Sequence, residues 1–174
     1  MKVKANTAII IARVSTEEQS REDHHSIPAQ LKVCREYAER YGIEVVTEYP
    51  IPESAYQGER RKFKTAIKEA ITLAEHESRP VALILFEIDR LTRRAISDVM
   101  IDIERAREAG KIEIHSALDN REFHRDSPPG DILQLRIQID MAEHESRVKS
   151  RKIKESLKLR VSKGEYPNYA PLGY

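Results

Sequence analysis

A serine and an arginine stand two positions apart near the amino terminus, where an apolar run rich in β-branched residues ends. The run reads TAIII (residues 7–11), and ARVSTEEQ (12–19) follows, so Arg13 and Ser15 lie at the end of a predicted buried strand. A serine hydroxyl is a weak nucleophile until a neighbouring group takes its proton or stabilises the developing charge. An arginine offers a planar fork of donors that matches phosphate oxygens. The pair therefore suggests attack by serine on a phosphate ester.

Further charged and polar side chains follow three other predicted strands. These strands are residues 43–49 (IEVVTEY), 80–88 (PVALILFEI) and 111–118 (KIEIHSAL), and the second, as the most apolar, is expected to be central. The carboxyl ends of parallel strands meet at one edge of a sheet, so the residues that follow them are expected to cluster. The residues concerned are Glu53, Ser54, Arg60 and Arg61, then Asp89, Arg90, Arg93 and Arg94, and finally Asn120 and Arg121.

Several arginines around one point would stabilise a pentavalent phosphoryl transition state without a metal ion. Taken singly, each arginine is more simply a surface ion-pair partner, and Ser15 a turn cap. Rival chemistries lack their motifs, because the sequence contains no GxSxG elbow, no GxxxxGK[ST] loop and no HxxxH or HExxH spacing. The sequence therefore predicts neither a metal site nor a cofactor.

Helical patterns separate the strands. They cover residues 26–42, 63–76 and 95–109, whereas residues 119–127 read as a polar loop. The first helix is expected to begin at Ser26 as N-cap, with Pro28 in its first turn, and to end at Gly42. This alternation, with the first strand at residues 8–14, predicts an α/β fold. The fold is a mostly parallel sheet of four to five strands with right-handed crossovers and flanking helices.

A pattern without glycine or proline follows, over residues 131–163, and predicts a helix about 50 Å long. Its first half has two apolar stripes, so one can face its own domain and the other needs a partner, most simply a second subunit. The stripes are Ile132, Leu135, Ile139 and Ala142 on one side, and Leu133, Ile137 and Met141 on the other. The predicted interface residues are Ile132, Leu135, Ile139 and Met141.

The second half of this helix is basic. Residues 147–163 contain eight lysines and arginines against one acid, Glu155, although the whole chain has a net charge of only +1. Such asymmetry favours a polyanion as partner, and the alternative is a solvated helix face. The predicted contacts to this polyanion are Arg147, Lys149, Arg151, Lys152, Lys154 and Lys158.

Three segments are predicted: a catalytic domain (residues 1–128), the long helix (129–163) and a turn-rich linker (164–174). No charged-then-apolar leader opens the chain, and no apolar run is long enough to cross a membrane. The one cysteine, Cys34, lies in a helical pattern and is expected to be a core thiol. These features predict a cytoplasmic protein.

Two motifs resemble those of the serine recombinases, the resolvase and invertase group. IARVSTEEQ (11–19) is similar to the family's Tyr-x-Arg-Val-Ser-Thr-x-x-Gln, with Ile11 in place of the tyrosine, and IDRLTR (88–93) to its Leu-Asp-Arg-Leu-x-Arg. The resemblance implies that Ser15 is the nucleophile. It also implies a phosphate-binding role for Arg13, a supporting role for Gln19, and active-site roles for Asp89, Arg90 and Arg93.

Three further segments extend the resemblance. ESAYQGERRKF (53–63) resembles the family's Ser-Gly segment followed by Arg-Pro, which implies roles for Ser54 and Arg60, with Ala55 and Arg61 replacing the glycine and the proline. MAEHESR (141–147) resembles its Ala-x-x-Glu-Arg segment, which implies active-site support from Glu145. The ending KGEYPNYAPLGY (163–174) resembles the entry to the recombinase domain of the large serine recombinases.

The resemblance implies site-specific DNA recombination without metal or ATP. Ser15 would form a 5′-phosphoserine link to double-stranded DNA, and dimers would assemble into tetramers that exchange strands and re-ligate them. Two alternatives come from other classes. One is a non-enzymatic flavodoxin-like module that binds a nucleotide or phosphopeptide at the arginines, and the other is an inactive DNA-binding dimer.

Overall fold

The computed structural model describes residues 4–13, 26–51, 56–91 and 97–165 of the 174-residue chain. One five-stranded sheet has the order β2-β1-β3-β4-β5; β1 to β4 are parallel, and β5 is antiparallel to β4. The strands are β1 (Thr7–Arg13), β2 (Glu44–Ile51), β3 (Val81–Leu85), β4 (Ile112–Ser116) and β5 (Arg121–Phe123). The helices are α1 (Ile27–Tyr41), α2 (Tyr56–Glu77), α3 (Ser97–Glu108) and α4 (Pro129–Ser162), and a 3₁₀ turn (Ile88–Leu91) follows β3.

The predicted α/β fold class is confirmed, with β3 at the centre of the sheet. Every residue of β1, β3 and β4 is buried, as expected for parallel strands covered by helices on both faces. Helix α1 packs on one face of the sheet through Cys34, Tyr37 and Ala38. Helices α2 and α3 and the first turns of α4 cover the other face, where Phe63 and Ile103 are fully buried.

The ends of α1 are those that its capping residues predict. The Ser26 hydroxyl accepts a hydrogen bond from the Ala29 N–H at 3.4 Å, and Pro28 lies in the first turn. Gly42 ends the helix with a positive φ of 65°, a backbone conformation that glycine adopts without steric cost.

Two elements differ from the sequence prediction. Helix α2 begins at Tyr56, about two turns earlier than the predicted start at residue 63, and it contains Gly58. Residues 121–123, predicted as part of a polar loop, form β5, because the Phe123 side chain is buried against the sheet core while its backbone pairs with Ile114. A three-residue strand is too short for its alternation to stand out in a sequence.

Cys34 is a buried free thiol, as predicted. Burial raises the pKa of this thiol to about 12, and the nearby Glu48 carboxylate adds to the shift. The side chain therefore stays a neutral thiol at physiological pH and acts as a small apolar core residue.

The first turns of α4 belong to the core of the subunit, which corrects the predicted interface set. Leu135 is fully buried in the same apolar cluster as β3 and β4, and Ile132 and Ile139 pack against that cluster. Leu135 therefore has no surface to offer a partner. The other stripe is the exposed one: Leu133 is 60% exposed, Ile137 48% and Met141 59%, so Met141 alone of the four predicted residues lies on it.

Polar contacts hold α4 against the domain from two sides. Arg121 of β5 donates to the Gln134 side-chain oxygen at 2.9 Å, and its guanidinium lies 3.7 Å from the Asp131 carboxylate. From α3, the Glu104 carboxylate accepts hydrogen bonds from Arg136 of α4 at 3.1 Å and from Arg107 at 3.2 Å. Glu104 is thus an ionic link between α3 and α4.

The Glu104 link predicts an acid-sensitive contribution to stability. Burial raises the pKa of Glu104, but hydrogen bonds from Arg136 and Arg107 outweigh it, so the net pKa lies below the usual range. A carboxyl group with a lowered folded-state pKa stabilises the fold above its unfolded pKa of about 4.3. This contribution disappears as the pH falls through the folded-state pKa. We expect Glu104→Gln to lower the urea midpoint at neutral pH and to make it fall less steeply below about pH 4.5.

The matched control for Glu104→Gln is Asp102→Asn, which changes an exposed carboxylate on the same helix. Its urea midpoints should follow the wild type across the whole pH range. Equal acid sensitivity in wild type and Glu104→Gln would contradict the role of this link.

Candidate active site

Arg13 is the last residue of β1 and lies at the carboxyl edge of the sheet, opposite Ile51 of β2. Although it is an arginine, it is only 3% exposed. Its guanidinium carbon lies 5.5 Å from the centroid of the Phe63 ring on α2, within the range of a cation–π contact. Burial and stacking restrict the rotamers of this side chain, so its fork of donors is held at the strand end rather than free in solvent.

The backbone of Arg13 is held by a side chain that the sequence analysis did not identify. The Arg13 N–H donates to the Gln30 Oε1 atom at 3.1 Å, and the Gln30 Nε2 atom donates to the Arg13 carbonyl oxygen at 2.7 Å. Gln30 is fully buried on α1, one turn after the N-cap. The amide thereby pairs with the end of β1 as a neighbouring strand would, two residues before Ser15.

A signal for Gln30 was present in the sequence. Gln30, Cys34, Tyr37 and Ala38 have the spacing of one helix face, and this face is the buried one. A glutamine on an otherwise apolar face must find hydrogen-bond partners inside the fold, so its position indicates a specific contact.

We expect Gln30→Leu to destabilise the protein, because it leaves the N–H and C=O groups of Arg13 buried without these partners. The cost is about 1–3 kcal/mol for each group that finds no replacement. Urea unfolding measures it. Gln30→Glu keeps the acceptor for the Arg13 N–H, but its second carboxylate oxygen would face the Arg13 carbonyl oxygen in a buried place, so this variant should also be less stable than the wild type. A Gln30→Leu variant as stable as the wild type would show that these two hydrogen bonds add nothing.

Four of the other predicted catalytic residues lie outside the described residues: Ser15, Gln19, Ser54 and Arg93. For three more the structure gives the backbone position and no description of the side chain. Arg60 lies in α2, three residues before Phe63, and Asp89 and Arg90 lie in the 3₁₀ turn that follows β3. Because β3 pairs with β1, this turn and Arg13 share the carboxyl edge of the sheet.

The first and last residues of the 3₁₀ turn are buried in the apolar core. Ile88 is 3% exposed and Leu91 is fully buried, so the core fixes the two ends of the turn that carries Asp89 and Arg90.

The two residues predicted to join the site from β4 have other contacts. Asn120 accepts a hydrogen bond from the Tyr41 hydroxyl at 2.7 Å, and Arg121 binds Gln134 on α4. Both therefore support the fold.

The basic half of α4 presents charge to solvent. Arg151, Lys152, Lys154 and Lys158 are exposed, and none forms an ion pair within the residues that the structure describes. Arg147, Lys149 and Glu145 lie on the same helix, and their side chains are outside the description. A helix surface of unpaired cations attracts phosphate backbones.

Two absences apply to the described parts of the chain. Residues 4–13, 26–51, 56–91 and 97–165 contain no group of three or more histidine, cysteine or carboxylate side chains placed to hold a metal ion. Over the same ranges, no helix is both long enough and apolar enough to cross a membrane.

Comparisons with known proteins agree with this architecture. The family model described as "Resolvase, N terminal domain" matches residues 8–166. A comparison with curated proteins gave no match. Among solved structures, the N-terminal catalytic domain of TP901-1 integrase is similar in fold, with a TM-score of 0.51 and 23% sequence identity. The alignment covers 82% of this chain and 98% of that one. The match to the family model spans most of the chain, so this protein belongs to the resolvase family of serine recombinases and is an enzyme of site-specific DNA recombination.

Proposed function

We propose that the Ser15 hydroxyl attacks a phosphodiester of double-stranded DNA. The Oγ–P bond forms as the P–O3′ bond breaks, the DNA leaves with a 3′-hydroxyl, and the protein stays joined to the 5′ end as a phosphoserine. Re-ligation is the reverse reaction, with a 3′-hydroxyl of a partner strand as nucleophile. The covalent link conserves the energy of the phosphodiester, so the cycle needs neither ATP nor a metal ion.

One observation carries this proposal: a nearly buried arginine is held at the end of β1, two residues before Ser15, by the Phe63 ring and the Gln30 amide. A guanidinium held in advance stabilises the charge of a phosphoryl transition state without reorganising during the reaction. A role as a solvated surface ion would not require this burial. The elements that carry Arg60, Asp89 and Arg90 reach the same edge of the sheet.

We assign the remaining roles from the charge of each residue and from its match to the recombinase motifs. Arg60, Arg90 and Arg93 complete the phosphate-binding group, and Asp89 orients these arginines or handles the proton of the Ser15 hydroxyl. Gln19 and Ser54 have supporting roles in the reaction, and Glu145 supports the site from α4. The exposed cations of α4 bind the DNA backbone, which gives affinity and orientation without reading the bases.

The covalent step is tested directly. The complete gene product is mixed with double-stranded DNA from the ends of the element that encodes it, in EDTA, and stopped with detergent. We expect protein attached covalently to DNA 5′ ends. After nuclease digestion, mass spectrometry should find a nucleotide joined to Ser15 through its 5′-phosphate. DNA that is bound but remains intact, together with tight binding of a mononucleotide at the arginines, would instead support a phosphate-binding module.

Assembly would use the exposed stripe of α4 formed by Leu133, Ile137 and Met141. These side chains lie four residues apart and are about half exposed or more, an arrangement typical of a helix that pairs with its copy. The dimer would associate into a tetramer that holds two DNA duplexes.

We expect Ile137→Asp to shift the protein from dimer to monomer while the fold is kept, because the carboxylate would be buried unpaired between subunits. Sedimentation velocity over a range of concentrations measures the shift, and circular dichroism checks the fold. Glu155→Gln, at an exposed position of the same helix about four turns beyond Met141, is the control and should leave the dimer unchanged. A wild-type protein that is monomeric at every concentration would contradict this interface.

A further inference from the structure

A glutamate on α2 accepts hydrogen bonds from two hydroxyl groups of the edge strand β2. The Thr47 hydroxyl donates to the Glu69 Oε1 atom at 2.6 Å, and the Tyr49 hydroxyl donates to the Glu69 Oε2 atom. The hydrogen bond to Glu69 is the largest cause that raises the pKa of Tyr49 to about 12, so this hydroxyl keeps its proton and remains a donor. Both carboxylate oxygens of one side chain are thus used to tie α2 to β2.

The position of this contact relates it to the active site. Tyr49 lies opposite Ile11 of β1, two residues from the pair formed by Ile51 and Arg13. Helix α2 connects β2 to β3, two strands that are both parallel to β1, so it runs antiparallel to the strands. Its Phe63 contacts Arg13 at the carboxyl edge, and Glu69 lies less than two turns further along the helix.

A second contact of the same kind lies at the opposite edge of the sheet. The Thr7 hydroxyl at the start of β1 donates to the Glu77 Oε2 atom at the end of α2, at 3.0 Å. Helix α2 is therefore tied to the sheet at two heights, close to Arg13 by Glu69 and far from it by Glu77. The two contacts share their chemistry and their helix, and they differ in distance from the site.

We propose that Glu69 is a positioning residue of the recombination reaction, which sets the height of α2 on the sheet and so the place of the Phe63 ring beneath the Arg13 guanidinium. The proposal rests on the proposed role of Arg13 in binding the reacting phosphate. Glu69 acts only through Phe63 and Arg13, because its carboxylate binds β2 at Thr47 and Tyr49 and not at the carboxyl edge of the sheet. Small displacements of a phosphate-binding group lower the rate of the chemical step far more than they lower DNA binding.

Glu69→Gln separates positioning from general stability. The amide keeps one acceptor oxygen and replaces the other with an NH₂ group, so one of the two hydroxyls can no longer donate to this side chain and must reorient to accept from it. Tyr49→Phe removes one of the two donors and leaves the carboxylate in place. Glu77→Gln is the matched control, because it alters the corresponding contact at the far end of α2.

Two readouts are measured on the complete protein. The first is the NMR resonance of the Arg13 Nε–H group, whose chemical shift depends on the ring current of Phe63 and which needs no DNA. The second is the single-turnover rate of the Ser15–DNA adduct at saturating DNA. We expect Glu69→Gln to move the resonance and to lower the rate by about tenfold or more, with DNA affinity unchanged. Tyr49→Phe should have a smaller effect of the same kind, and Glu77→Gln should change neither readout.

An unchanged Arg13 resonance in Glu69→Gln would overturn the proposal, whether or not the rate of adduct formation changes. Equal effects of Glu69→Gln and Glu77→Gln on both readouts would also overturn it, because both contacts would then serve only stability. A wild-type protein that forms no adduct at Ser15 would refute the proposed chemistry, and the resonance would still decide whether Glu69 positions Phe63 against Arg13.

Discussion

Replacing Ser15 by alanine is expected to abolish the covalent protein–DNA species. The substitution removes the only atom that forms the bond to phosphorus in the proposed reaction. A water molecule in its place could hydrolyse the DNA but could not retain the energy needed for re-ligation. Adduct formation should fall by on the order of 10³-fold or more, the scale of losses when a serine nucleophile is removed. Denaturing gels of end-labelled DNA measure it.

DNA binding by Ser15→Ala supplies the control for this result. The proposed phosphate contacts come from Arg13 and from the cations of α4, so the variant should bind DNA with wild-type affinity and the same dependence on salt. A Ser15→Ala protein that still attaches covalently to DNA 5′ ends would show that another residue is the nucleophile.

Replacing Arg13 by methionine is expected to lower the rate of adduct formation by about 10²–10³-fold, the usual cost of losing one preorganised donor to a transition state. Methionine keeps an apolar stem of similar length against Phe63, whereas the charge and the donors are lost. Lysine at the same position keeps the charge but not the planar fork, so Arg13→Lys should recover only part of the rate. The rates are measured in single-turnover experiments at saturating DNA.

Arg35→Met is the matched control for Arg13→Met. Arg35 is an arginine of α1 whose guanidinium forms two hydrogen bonds of 2.6 Å with the Glu48 carboxylate on the surface of the domain. Its loss removes an arginine and an ion pair without touching the carboxyl edge of the sheet, so the rate should stay at the wild-type value. Equal rates for Arg13→Met and wild type would show that Arg13 has no part in the chemistry.

The sequence predicted the elements whose signals are local. Short runs rich in apolar and β-branched residues, bounded by turn residues, predicted the four parallel strands, and Ser26 and Gly42 predicted both ends of α1 because caps act within one helical turn. It missed the antiparallel strand β5 and the early start of α2. In β5 a single buried side chain, Phe123, determines the pairing, and its partners are in other elements.

The long helix shows the same division. Its pattern predicted two apolar faces and a basic end, but periodicity alone does not say which face meets the domain. The structure places Leu135 in the core and leaves Leu133, Ile137 and Met141 exposed. The packing of Leu135 and the contacts of Arg121 with Gln134 and of Arg136 with Glu104 all join residues that are distant in sequence.

For the candidate site, too, some properties follow from the sequence and others only from the tertiary structure. The sequence by itself determined the residue types at the strand ends, the match of ARVSTEEQ and IDRLTR to a family of recombinases, and the uneven charge of α4, since all of these are properties of adjacent residues. Only the tertiary structure decided that Arg13 is buried, that Phe63 stacks on it, and that Gln30 and Glu69 hold the elements around it. The physical reason is that burial and hydrogen bonding between elements depend on the packing of helices against strands, and a single sequence carries no direct record of those distances.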